Sequence, residues 1–441
     1  MSKFIVAALT ATLMLALQPQ HDFGRLTLLA AAHADDDDDE GEGRRLRRGS
    51  DDDDDDAQPR RRARAPAPPR AQPAPPPPRR AANEILARGL DEPDLATLQA
   101  EGFEVIQRRV LTGGESLLRL RKPAALGMQA ARGRVRQLAS APAADFNHFY
   151  RTGQAEDGGP CPGRQCLMRE MIGWVSASGC GPLPRIGMVD TGLNEDHIAF
   201  RSARLRVHRL GDGAQPSDAL HGTAVAALLV GDEDSRSPGL VPGADLVAVD
   251  AFSKVRSDER TDAFALIDAL DYLAAQQVRI VNLSLAGPPN DELERQIGLL
   301  AERDVIMVAA AGNFGPRAEP AYPAAYDSVL AVTAVDRRGQ VYRRANRGDY
   351  IDLAAPGVDV WTAASVSGAR TKTGTSYAVP FVTAAAALWL QQQPTLSPDE
   401  LRARMTGAAR DLGPSGRDAT FGNGLLSPPP PCTRQAPAPA P

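Results

Sequence analysis

Three short motifs supply a carboxylate, an imidazole and a hydroxyl in a pattern that could do hydrolytic chemistry. Asp190 closes the apolar run Ile186-Gly187-Met188-Val189 and is followed by Thr191-Gly192. A carboxylate at the end of a buried strand costs desolvation energy unless a partner offsets it. His221 opens an alanine-rich stretch, His221-Gly222-Thr223-Ala224-Val225-Ala226. Ser376 lies in Gly374-Thr375-Ser376-Tyr377-Ala378-Val379-Pro380, which runs into the apolar stretch Val382–Leu390. A serine in the first turn of a helix has a backbone amide and the positive end of the helix dipole at hand, which suits a developing oxyanion. Singly, each has an ordinary reading, as a turn aspartate, a helix-start histidine and a serine N-cap. Together they describe acyl transfer. The serine attacks a carbonyl, the histidine moves its proton, and the aspartate orients the imidazole.

Such residues need a scaffold, and the surrounding pattern supplies one. From about Pro184 onward, apolar strand candidates at 186–189, 246–249, 279–285, 305–310 and 329–335 alternate with helix candidates at 222–229, 262–275, 292–303 and 377–390. Buried apolar strands alternating with helices predict an α/β fold: a doubly wound, mostly parallel sheet with helices on both faces. In that architecture the chemistry sits beyond the carboxyl ends of the strands.

The order Asp190, His221, Ser376 resembles that of the subtilisin-like serine peptidases (subtilases), and the likeness extends over roughly Pro184 to Ser427. DTGLNEDHIAF, with His197 seven residues after Asp190, is similar to the family's aspartate motif, HGTAVA to its histidine motif and GTSYAVP to its serine motif. Ala310-Ala311-Gly312-Asn313 resembles the segment that carries the oxyanion-hole asparagine. Asn282-Leu283-Ser284-Leu285-Ala286-Gly287 resembles the substrate-binding strand, and Ala354-Ala355-Pro356-Gly357 precedes the serine motif as it does in the family. The resemblance implies Asp190, His221 and Ser376 as catalytic residues and Asn313 in the oxyanion hole. It implies Ser284, Leu285, Ala286, Gly287, Ala310, Ala311 and Gly312 as the substrate-binding walls. Those walls are small and apolar, so broad or hydrophobic specificity is expected.

The chain departs from the family at Ala224, where a second histidine is usual, and at Tyr377, where methionine or phenylalanine is usual; both bear on pocket shape. The chemistry requires no metal or organic cofactor. Structural calcium is not legible, and Asp232, Glu233 and Asp234 are a candidate site or a solvated loop. The segment Arg256–Asp262 is expected as a loop near distant subsites, its Asp258, Glu259 and Asp262 either favouring basic residues or merely solvated. A catalytically inactive subtilase-like surface binding protein is the alternative. An esterase on an α/β-hydrolase fold would want G-x-S-x-G and the order Ser, Asp, His, neither of which occurs here.

The rest of the chain concerns delivery and restraint. With Lys+Arg 50 and Asp+Glu 55 the net charge is −5, which gives no general attraction to nucleic acid. The apolar run from Phe4 to Leu17 and the Ala32-His33-Ala34 site suggest a signal peptide over 1–34, either cleaved or retained as an anchor, hence export to the periplasm or beyond. Four cysteines, Cys161, Cys166, Cys180 and Cys432, suit disulfides in an oxidising compartment, with the pairing open. Residues 35–82 hold the blocks Asp35–Asp39 and Asp51–Asp56, arginine clusters and Pro75–Pro78. They are expected to form a disordered linker, and 428–441 a proline-rich tail. Residues 83–152 read as a small α+β unit in the order helix, strand, strand, helix, ending in the extended segment Asp145–Tyr150. They resemble subtilase propeptides, which implies self-cleavage and inhibition. The peptidase is placed at 153–427. A monomer acting on proteins or peptides is expected, with its own N-terminal segment as a further partner and no firm membrane partner.

Overall fold

In the computed structural model the described residues are 76–153, 156–157, 168–175, 182–210, 215–364 and 366–430. The leader, most of the expected linker, the tail beyond 430 and all four cysteines fall outside them, and the disulfide expectation with them.

The first unit runs β1 (Arg80–Arg88), α1 (Glu92–Ala100), β2 (Glu104–Val110), β3 (Ser116–Arg121), α2 (Met128–Arg136) and β4 (Ala143–Thr152). Both helices and both middle strands fall where the sequence placed them. Two strands are added. β1 begins at Arg80, so the last residues of the expected linker, up to 82, are partly ordered as strand. It lies mid-sheet, antiparallel to β3 and to β4. Strand pairing explains the extension, because Ile85, Leu86 and Ala87 alternate between two apolar faces. Ile85 and Ala87 join Leu98, Leu118, Leu120, Val135 and Phe146 in the unit's own core. Leu86 and Leu117 face the other way, into a core shared with later helices.

The chain continues through β5 (Glu156–Asp157), β6 (Ile186–Asp190), β7 (Arg204–Arg209), α3 (Leu220–Val230), β8 (Asp245–Asp250), β9 (Ser253–Val255), β10 (Asp258–Asp262) and α4 (Ala263–Ala275). Then come β11 (Ile280–Leu283), β12 (Leu285–Ala286), α5 (Asp291–Ala301), β13 (Ile306–Ala310), β14 (Val329–Val335), β15 (Leu353–Pro356), β16 (Val360–Ala363), β17 (Ala369–Thr373), α6 (Thr375–Gln392) and α7 (Pro398–Gly407). Seven strands form one parallel sheet in the order β15-β14-β13-β11-β6-β8-β7. Alternation along its strands feeds two cores. Ile306, Val308 and Ala310 of β13 face α3 and α6, whereas Met307 and Ala309 face α4 and α5. This is the doubly wound arrangement that the sequence predicts. β6 comes first in the chain yet lies inside the sheet, with β8 on one side and β11 on the other. The carboxyl end of β6, at Asp190, therefore opens at the topological switch point.

The Arg256–Asp262 segment is not a loop. It turns at Arg256 and becomes β10, antiparallel to β9 and to β4. Pairing on two sides offsets the poor strand propensity of a charged sequence.

The first unit lies against α4 and α5. Thr112 binds Asp271 through both its amide and its hydroxyl at 2.8 Å, and Arg109 pairs with Asp268 at 2.9 Å. Two β4 side chains meet helix starts. Asp145 accepts from the Asp291 amide at 2.9 Å, and Asn147 accepts from the Phe264 amide at 3.3 Å. These are amides that a helix leaves without intrahelical partners. At the centre of the contact Arg88 is fully buried, its Nε 3.2 Å from Glu292 and its Nη2 3.1 Å from the Gln296 carbonyl oxygen.

Candidate active site

Asp190 is the last residue of β6 and is shut off from solvent. Its Oδ1 accepts the Thr191 amide at 2.7 Å and stands 2.7 Å from His221 Nδ1. His221 sits in the first turn of α3. The following glycine lets that helix come so close: a Cβ on Gly222 would sit 2.5 Å from the Thr191 carbonyl oxygen and 2.6 Å from that of Gly192. Any larger residue would push α3, and the imidazole with it, away from Asp190. The Nε2 of His221 is buried without a hydrogen-bond partner among the described residues. The Tyr377 ring packs beside the imidazole, with ring centres 5.4 Å apart.

Ser376 lies in the first turn of α6, whose residues are almost all buried. Its Oγ donates to the Ser284 carbonyl at 3.0 Å. Its backbone carbonyl has a particular problem. In a helix the amide four residues on would bind it, but that residue is Pro380, which has no N–H. The Ser284 hydroxyl takes this place, donating to the Ser376 carbonyl at 2.9 Å. Ser284 Oγ in turn accepts from Asn282 Nδ2 at 2.9 Å, and Asn282 Oδ1 accepts from the Thr383 hydroxyl at 3.1 Å. Asn282 and Thr383 thus join the site through Ser284. Only the proline and the polar residues within an apolar strand and helix hinted at this in the sequence.

Asn313 follows β13. Its Oδ1 accepts both the amide and the hydroxyl of Thr375 at 3.0 Å, so its Nδ2 must point the other way, into the cleft. There it meets Gly153, on which a Cβ would overlap Asn313 Nδ2. Ala310 ends β13, the Ala311 carbonyl accepts from Tyr350 at 2.8 Å, and the Gly312 carbonyl accepts from the Asn346 amide at 3.1 Å. Gly312 has φ +101°, a backbone that favours glycine.

One cleft edge is β10 and the other is β12, and the end of β4 runs between them. Thr261 and Asp262 pair with Tyr150 and Phe149; Leu285 and Ala286 pair with Thr152 and Arg151. Tyr150 is wholly buried, and a Cβ on Gly287 would overlap its ring. Beyond the site, β5 pairs with β17, which leads into Gly374 and Ser376. Described chain thus flanks Ser376 on both sides.

The charges of β10 are engaged rather than merely solvated. Asp258 is held below the usual carboxylate range, chiefly by hydrogen bonding from Arg151. Glu259 accepts the Asp218 amide at 2.5 Å, and burial pushes its carboxyl up. Asp262 caps α4 through the Ala265 amide at 3.0 Å. His197 is structural in its contacts. Nδ1 accepts the Ala199 amide at 3.1 Å, Nε2 lies 3.1 Å from the Gly368 carbonyl oxygen, and burial lowers its pKa. In the acidic triplet, Asp232 is occupied by the Ser202 hydroxyl and the Asp234 amide at 2.5 and 2.9 Å. No helix among the described residues is long and apolar enough to cross a membrane.

Comparison with known proteins places these residues within a family match. The model of the subtilase family matches residues 183–424. The chain is 31% identical over 245 residues to the minor extracellular protease Epr of Bacillus subtilis (strain 168), a match that covers 55% of this chain and 37% of that protein. It is 32% identical over 246 residues to subtilisin BL of Lederbergia lenta, covering 55% of this chain and 88% of that one. Among solved structures, fervidolysin from Fervidobacterium pennivorans, a keratinolytic enzyme related to subtilisin, superposes with a TM-score of 0.68 at 20% identity. That match covers 79% of this chain and 60% of fervidolysin, a likeness of fold.

Proposed function

The chain belongs to the subtilase family of serine peptidases, and from that premise we propose that it is an exported endopeptidase held in check by its own N-terminal unit. The 2.7 Å contact between His221 Nδ1 and Asp190 Oδ1, with the ring of Tyr377, the residue after Ser376, packed beside the imidazole, carries this reading. The contact fixes the imidazole with its proton on Nδ1, leaving Nε2 as the base. Ser376 Oγ turns from the Ser284 carbonyl to the substrate carbonyl as His221 Nε2 takes its proton. The same nitrogen then delivers the proton to the departing amine, and water later releases the acyl group. The oxyanion lies between Asn313 Nδ2 and the Ser376 amide. Every proton transfer is made by these side chains, so no metal or organic cofactor is required, and any calcium would be structural.

The cleft supports extended protein or peptide substrates, bound as a strand between β10 and β12. Its small apolar walls suit broad or hydrophobic preference. The end of β4 occupies that place, which supports residues up to about 153 as a propeptide that folds with the peptidase, blocks the site and is cut by it. The working form is taken as a monomer, with no nucleic-acid or firm membrane partner.

A fluorophosphonate probe tests the nucleophile. The wild-type chain should be labelled and hydrolyse casein, and Ser376→Ala should do neither. An unlabelled, inert wild type would leave the inactive binding protein as the better reading. Intact mass tests the restraint: the wild type should lose the N-terminal unit, and Ser376→Ala should keep it.

A further inference from the structure

The ladder between β12 and β4 has a definite register, with Ala286 opposite Arg151 and Leu285 opposite Thr152. Continuing this antiparallel pairing by one residue puts Gly153 opposite Ser284, whose carbonyl accepts the Ser376 hydroxyl. Gly153 is also the residue beside Asn313 Nδ2, too close for any Cβ. The extended register and the observed approach to Asn313 therefore agree in placing Gly153 at the start of the site. Two positions earlier, Arg151 makes a forked contact with Asp258: Nε to Oδ1 at 2.7 Å and Nη2 to Oδ2 at 2.8 Å. A planar guanidinium satisfies that geometry, and lysine or glutamine does not.

We propose that Asp258 selects arginine at the third residue of a bound segment, counted back from the carbonyl that Ser376 attacks, so that the chain cuts itself after Gly153 and favours proteins carrying Arg-Xaa-Gly. The inference rests on the reading above, that β4 lies in the cleft as a substrate does. In the reaction Ser376 Oγ bonds to the Gly153 carbonyl carbon and the peptide bond after Gly153 breaks. The Oγ proton passes through His221 to the leaving nitrogen, and water completes the hydrolysis, leaving a Gly153 carboxylate. Glycine is favoured there because a Cβ would press on Asn313 Nδ2, and Asn313 is held through its Oδ1 by two bonds from Thr375. Arg260 shares the Asp258 carboxylate at 2.6 Å, so the acid is not stranded when other residues pass, and selection is graded rather than absolute. A buried aromatic at the position of Tyr150 completes the recognised segment.

The experiment uses the full chain and two internally quenched peptides that differ only in carrying Tyr-Arg-Thr-Gly or Tyr-Gln-Thr-Gly before a common leaving segment. Mass spectrometry of the self-processed wild type should find a released segment ending at Gly153. The processed enzyme should favour the arginine peptide about tenfold in kcat/KM, and Asp258→Asn should bring that ratio close to one. Cleavage at another residue overturns the register while leaving self-processing intact. A wild-type ratio near one, or a ratio unchanged in Asp258→Asn, overturns the role of Asp258 even if casein is still cut. If the enzyme cuts neither casein nor itself, the broader peptidase reading fails instead.

Discussion

The hydroxyl of Ser284 donates to the backbone carbonyl of Ser376, the group that Pro380 leaves without a helical amide. Ser376 is thus tied to the residue that precedes β12, by a bond that the proline makes necessary. Ser284→Ala should strand a buried carbonyl at about 1–3 kcal/mol. It should lower kcat about tenfold while KM changes little, because the β12 backbone that pairs with substrate is untouched. Steady-state kinetics on casein-derived peptides checks the split; an effect confined to KM would make Ser284 a binding residue alone.

Asp190 offers His221 its carboxylate in a site closed to water. Asp190→Asn preserves the shape and inverts the favoured tautomer, so kcat should fall about 10⁴-fold with the fold intact. Circular dichroism and turnover, measured together, test this. Activity within tenfold of wild type would detach Asp190 from the chemistry.

Asn313 is aimed by its two bonds from Thr375. Asn313→Ala should cost about 10²–10³ in kcat with little change in KM, as expected of a donor used mainly in the transition state. Asn313→Ala should also loosen the cap on Thr375, visible as a small drop in melting temperature.

Arg88 and Glu292 meet in a buried contact between the N-terminal unit and α5, and burial moves both pKa values toward the uncharged forms. Removing one partner leaves a charge without compensation. In the uncut Ser376→Ala background, Arg88→Met should cost about 3–5 kcal/mol in urea unfolding, and Arg88→Met with Glu292→Leu should recover most of it. A double variant as unstable as the single one would mean that Arg88 acts through its packing.

The lowered pKa of Asp258 sets a pH dependence. Its ionised form is favoured in the fold, so its stabilisation is complete above the ordinary carboxylate pKa of about 4 and is lost as pH falls through the lowered value. Melting of the Ser376→Ala chain between pH 2 and pH 7 should show this acid loss. With Asp258→Asn that part of the slope should be missing.

Much of the peptidase was legible because the sequence states it locally. Strands such as Val329–Val335 carry continuous apolar runs, and the helices between them carry their own periodicity. The motifs around Asp190, His221 and Ser376, with their neighbouring glycines, are written in adjacent positions. The charged β10 segment was harder. Apart from Thr261, little in Asp258–Asp262 favours a strand, and it becomes one because β9, joined to it by a tight turn, and β4, distant in sequence, supply hydrogen bonds on both sides. β1 escaped notice for the same reason: a short apolar core between arginines gains its order from β3 and β4.

The sequence by itself determined the family motifs and the alternating pattern that forms the sheet, since both are written in neighbouring positions. Only the tertiary structure decided that Ser284 replaces the amide Pro380 lacks, that Asn313 Nδ2 meets Gly153, and that Arg151 lies beside Asp258. Those contacts join residues up to about 160 positions apart. Their register is set by backbone pairing and close packing, which no local pattern encodes.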